Sequence, residues 1–145
     1  MEEAPERLDA MLDGVGADAQ RTADREWTVR LPSATRGAIT CGLRCGERTL
    51  TLHAFFVRAP DRDREAVYRR ALRKNLETYH WRFSLDEAGD LFMVAQVPLA
   101  GLDVEALGEL LGALCVHVDE TFEGMVRTGF DVPEGTRFGP PPGAG

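Results

Sequence analysis

Three histidines, three cysteines and a few paired carboxylates are the residues of this chain with chemistry to offer. His53, His80 and His117 fall on an expected strand, a helix–strand junction and a helix. His117 and Glu120 stand three apart on one helical face and could present two metal ligands. A carboxylate-bridged site draws matching ligands from other helices, and the sequence supplies no such motif. Asp86 and Asp90 lack the alternating acids and closing glutamate of a calcium loop and read as turn formers. Gly14-Val15-Gly16 follows no strand and extends to no dinucleotide fingerprint. The one lysine, Lys74, is mid-helix, and Ser33 and Ser84 sit in no nucleophile elbow. Cys41 and Cys45 lie on one expected strand, ~13 Å apart at the usual rise. That is too far for a disulfide or a shared metal. With Cys115 they read as buried, inert thiols. No catalytic, cofactor or metal site is expected.

Two groups of residues suggest binding instead. The stretch 64–79 is a basic amphipathic helix in a chain of net charge −7. Glu65, Arg69, Arg73 and Glu77 are spaced to pair along its exposed face, which leaves Arg70 and Lys74 without helical partners. The plain reading is a solvated face. The sharper one is a docking face for an acidic peptide, a phosphate or a partner subunit. Phe55, Val57, Phe92 and Val94 form the second group, on the far side of a central sheet. Either the basic helix or a second copy covers them, or they line an apolar groove for a client peptide.

The elements that position these groups are legible from periodicity. Leu8, Met11, Leu12 and Val15 mark a first helix, stopped by Gly14 and Gly16. Residues 18–24 read as a polar connector. Trp27, Val29 and Leu31 alternate on a first strand; Ile39, Cys41, Leu43 and Cys45 on a second; Leu50, Leu52, Ala54 and Phe56 on a third. The third is apolar on both sides at its far end, which implies cover on both faces. Asp61 or Asp63 is placed to cap the basic helix. That helix is expected to bury Val67, Tyr68, Ala71, Leu72, Leu76 and Tyr79, with Asn75 in need of a hydrogen-bond partner. Strands at 81–85 and 91–97 form a hairpin. Asp103 caps a last helix, Leu102 and Leu107 staple it, and Gly129 is expected at its left-handed end.

The order is α-β-β-β-α-β-β-α, an α+β domain with one antiparallel five-stranded sheet. A length of 145 residues suits one domain over residues 1–130, followed by a Pro/Gly-rich mobile tail over 131–145. The acidic balance disfavours nucleic acid. The longest apolar stretch, 110–118, is too short to span a bilayer. With no leader pattern at 1–7, a cytoplasmic protein is expected.

Several local strings resemble the YbjN-domain family of bacterial sensory transduction regulators, its actinobacterial members above all. They are Arg48-Thr49-Leu50, the run from Phe56 to Asp61, the run from Val67 to Asn75, the run from Asp86 to Asp90, Pro98-Leu99, Asp119-Glu120 to Phe122, and Gly129-Phe130. The resemblance implies a fold similar to type III secretion chaperones, small acidic dimers that hold partner polypeptides. It carries over no active site and no cofactor. The function it implies is a non-enzymatic protein-binding module, regulatory or chaperone-like, acting as a homodimer. Arg69, Arg70, Arg73, Lys74, Phe55, Phe92 and Val94 are its candidate contact residues. The alternative is a small-molecule sensor or enzyme with a pocket between the basic helix and the sheet, lined by Asn75, Tyr79 and His53.

Overall fold

A computed structural model describes residues 3–138; the end of the expected mobile tail, 139–145, lies outside the described residues. The elements are α1 (Ala4–Val15), β1 (Asp18–Ala23), β2 (Glu26–Ser33), β3 (Gly37–Cys45), β4 (Thr49–Val57), α2 (Arg64–Lys74), β5 (Arg82–Leu85), β6 (Leu91–Pro98) and α3 (Val104–Gly129). The fold is α+β with an antiparallel sheet of six strands, in the order β1-β2-β3-β4-β6-β5.

The sixth strand is β1, which the sequence presents as a connector. All six of its residues are exposed. It pairs with β2 from Asp18 opposite Arg30 to Ala23 opposite Glu26. An edge strand held by backbone bonds needs no apolar alternation, so periodicity does not reveal it. Arg21 ties it to α1 by donating to Asp9 at 2.8 Å, with its guanidinium over the Trp27 ring.

Helices cover one face of the sheet. On that face Val29, Cys41, Leu50 and Leu52 are fully buried, with Trp27, Ile39, Leu43 and Met93 nearly so. The other face carries Thr28, Arg30, Arg44, His53 and Gln96, intermediate or exposed. A register shift between Phe55 and Val57 places Phe56 and Val57 both inward. This corrects the expectation that Val57 stands beside Phe55 under a second cover. The bulge consumes the extra residue, and Phe55 remains 44% exposed on an open face.

α3 lies across the covered face. Asp103 caps it by accepting from the Ala106 amide at 2.8 Å. Leu107, Leu114 and Val118 are buried beneath it. Gly129 ends it differently from expectation. It has no positive φ, and Phe130 leaves the helix in extended geometry. A methyl group at Gly129 would lie 2.8 Å from Pro60 Cβ and 2.9 Å from Val67 Cγ2. Its carbonyl accepts from the Asp61 and Arg62 amides at 2.8 and 3.1 Å. The glycine is there for close approach between the end of α3 and the entrance to α2.

Near its middle α3 also holds the β2–β3 hairpin. Asp119 accepts from the Ser33 hydroxyl at 2.7 Å, the Thr35 hydroxyl at 2.9 Å, and the Ala34 and Thr35 amides at 3.1 and 3.2 Å. Loss of hydration raises the pKa of this carboxyl, but the hydrogen bonds outweigh that and it sits below its ordinary value.

Two outcomes follow from these contacts. Gly129→Ala should cost about 1–3 kcal/mol through overpacking. Gly112→Ala, on the open side of the same helix with nothing within 4 Å, should gain about 0.5–1 kcal/mol. Urea unfolding of both variants checks the opposite signs. The Asp119 clamp, with a folded pKa below the unfolded ~3.9, stabilises above that value and fades as pH falls through the folded pKa. Asp119→Asn should therefore lie well below the parent at about pH 7, with the gap narrowing as the pH falls below ~3.9. A gap unchanged across that range, read by urea titration, would contradict the clamp.

Candidate partner-binding surfaces

α2 is a short helix held on two sides. Glu65 and Arg69 pair at 2.8 Å along its exposed face, as the i,i+4 spacing requires. Val67 and Ala71 turn to the core, at 0% and 2% exposure. The Tyr68 hydroxyl donates to the Gly89 carbonyl in the β5–β6 turn at 2.8 Å. Neither expected carboxylate caps the helix. Asp61 pairs with Arg58 at 2.7 Å, and Asp63, at φ 49°, makes no cap hydrogen bond.

The four basic candidates separate. Arg70 reaches α3, donating to the Gly124 carbonyl and the Thr128 hydroxyl, each at 3.3 Å. Lys74 lies between Glu77 at 3.2 Å and Glu120 at 3.4 Å. Hydrogen bonding to Glu77 raises its pKa first, with Glu120 adding to it against a small loss of hydration. Arg69 and Arg73 stay on the solvent side, Arg69 paired with Glu65. Arg70 and Lys74 thus fasten α2 to α3.

The helix stops at Lys74, five residues earlier than its periodicity suggests. The cause is Asn75. Its side-chain oxygen accepts from the Phe83 amide at 2.7 Å and its nitrogen donates to the Phe83 carbonyl at 3.3 Å. β5 pairs with β6 on its other side, so this amide caps the free edge of the sheet as a neighbouring strand would. Sequence signalled only that Asn75 needs a partner, not which one. The chain then turns through His80, at φ 63°, and buries Trp81, whose indole N–H donates to the Leu110 carbonyl at 2.8 Å.

Leu72, within α2, and Leu76 and Tyr79, beyond its end, which the helical pattern would bury, are 67%, 90% and 85% exposed. Leu72 lies beside Leu76 on one side and Leu85, 49% exposed at the end of β5, on the other, and these three make an apolar strip beside the capped edge. Tyr79 lines a separate groove with Leu110 and Ala113. A cleft of about 210 Å³ under the strip is lined by Ala71, Leu72, Phe83, Leu85 and Leu91, with Tyr68 and Ser84 its only polar side chains.

Phe55, Phe92 and Val94 come together on the open sheet face. Phe55 pairs with Phe92 across β4 and β6, the rings edge to face at 5.6 Å, and Val94 stands opposite His53. The His53 ring lies over Gly42, where a methyl group would meet it at 2.5 Å. Asn75, Tyr79 and His53 do not converge: the first faces β5, the second solvent, the third the open sheet face.

Burial pushes the Cys41 thiol up to about 12, so it is no nucleophile at neutral pH. Cys45 and Cys115 are also raised by burial. Among the described residues no three His, Cys, Asp or Glu side chains are placed to hold a metal ion, and no helix is long and apolar enough to cross a membrane.

A family model described as "Putative bacterial sensory transduction regulator", YbjN, matches residues 4–126. An uncharacterized protein of Mycobacterium tuberculosis is 35% identical over 102 residues, 70% of this chain and 56% of that one. The chain therefore spans little more than half the length of the curated relatives it matches. The fold is similar to that of YbjN from E. coli, with TM-score 0.56, 15% identity, and 86% of this chain and 96% of that one covered. It is similar also to the Yersinia pestis type III secretion chaperone SycH, solved with a fragment of YscM2. That match has TM-score 0.56, 14% identity and coverage of 80% and 97%.

Asn75→Ala should uncover two backbone groups at the sheet edge and cost about 1–3 kcal/mol. Asn75→Asp, which keeps the acceptor for the Phe83 amide, should fall between the two. Urea unfolding ranks the three proteins, and equal stabilities would remove the edge cap from the account.

Proposed function

The chain belongs to the YbjN family, and we propose that it is a non-enzymatic protein-binding module, regulatory or chaperone-like, that works as a homodimer. The observation that carries this reading is the apolar strip of Leu72, Leu76 and Leu85, exposed beside a sheet edge that is already capped. Contiguous exposed apolar side chains mark interaction sites. A two-fold dimer buries one such patch against itself, and the side chains of Arg69 and Arg73 border this one.

In this reading the strip is the dimer contact, and Arg70 and Lys74 brace it from behind. The open sheet face with Phe55, Phe92 and Val94 is the surface for a client protein. Its edge-to-face aromatic pair offers rigid apolar area at low entropic cost. The similarity of fold to a chaperone solved with a protein fragment supports the class of function, and the client's identity is a separate matter. Three free thiols suit the cytoplasm.

The full chain should run as a dimer in light scattering at micromolar concentration. Leu76→Glu should convert it to a monomer with little change in unfolding midpoint, because that side chain is 90% exposed. A monomeric parent, or a Leu76→Glu variant that stays dimeric, would overturn the assignment of the strip.

A further inference from the structure

A second groove, of about 540 Å³, runs along the N-terminal half of α3. The 98–102 connection and the turn after α2 form its sides. Ala106, Leu110, Ala113 and His117 follow one another at helical spacing along the floor. From Ala106 to His117 the helix rises ~16 Å, the length of about five residues of extended chain. Two alanines give the floor its depth, and Val97 and Leu102 give it apolar walls.

The charges around it have one sign. Glu77 and Glu109 are on the rim, and no arginine or lysine lines the groove. Lys74 reaches Glu77 at 3.2 Å from outside, while Glu109 has no ion-pair partner among the described residues. The groove is therefore apolar below and anionic above, with His117 at the end of its floor.

We propose that this groove takes a short extended segment of a partner protein in which apolar side chains alternate with arginine or lysine. The apolar side chains fill the floor over Ala106 and Ala113, and the cations meet Glu77 and Glu109. An extended strand sends alternate side chains to opposite sides, which matches an apolar floor under a charged rim. An acidic segment would set like charges against both glutamates and is excluded. This rests on the protein-binding reading above and names the chemistry of the partner.

The test uses two fluorescein-labelled pentapeptides, Leu-Arg-Leu-Arg-Leu and Leu-Glu-Leu-Glu-Leu, titrated into the full chain by fluorescence anisotropy. The basic peptide should bind saturably and the acidic one should not. Amide shifts in NMR spectra should cluster on Ala106, Ala113 and His117. Glu77→Gln combined with Glu109→Gln, both at exposed positions, should keep the unfolding midpoint and weaken binding by about fivefold. Absence of binding by either peptide, equal binding of both, indifference to the double substitution, or shifts confined to Leu72 and Leu76 would each overturn the proposal. Light scattering on the same samples separates it from the dimer assignment. An intact dimer that ignores the basic peptide sinks the groove alone, and a monomer that binds it sinks the dimer alone.

Discussion

The apolar stripe of α3 is the contact against which the other elements are built. Leu107, Leu111, Leu114 and Val118 run along a helix of 26 residues, ~39 Å from end to end. Fully burying four such side chains is worth roughly 1.5–3 kcal/mol each. α1, α2, β2 and β4 all pack on this helix. Polar contacts fix where it lies. Asp119 takes the β2–β3 hairpin, Leu110 offers its carbonyl to Trp81, and Gly129 gives its carbonyl to the entrance of α2. The hydrophobic stripe supplies the energy, and these three points supply the position.

Putting every helix on one side of the sheet decides what remains for recognition. The face away from α3 keeps Phe55 and Phe92 within reach of a partner, among threonines, arginines and a histidine. The end of α2 keeps Leu72, Leu76 and Tyr79 outside. The first half of α3 leaves a groove against the 98–102 connection. These are three surfaces of different character: one aromatic and flat, one aliphatic and convex, one concave with an acidic rim.

Most of the fold was legible in the sequence because most of it follows from burial on one side. Alternation found five strands, and the pattern from Asp103 to Met125 found α3 with its cap. Misses occurred where a single polar contact outweighed the pattern. β1 has no apolar residue larger than alanine and is held by backbone pairing, so no period marks it. The helical pattern continues past Lys74, but the bond from Asn75 to Phe83 ends the helix there. Leu76 and Tyr79 therefore leave the core to which they were assigned, and Leu72, still within α2, faces solvent. The binding candidates were partly legible for the same reason. Phe55, Phe92 and Val94 come together because strand pairing is regular. Arg70 and Lys74 lead to Gly124 and Glu120, distant in sequence, and no local rule brings those together.

The single bulge in β4 also sets a rule for insertions and deletions. With Phe56 and Val57 both inward, the distance in residues from Thr49 to Pro60 is odd with respect to the pleat. Removing one residue there would abolish the bulge and restore strict alternation, keeping Val57 inward but leaving β4 one buried side chain fewer. Homologues that keep this architecture are therefore expected to carry this segment at constant length.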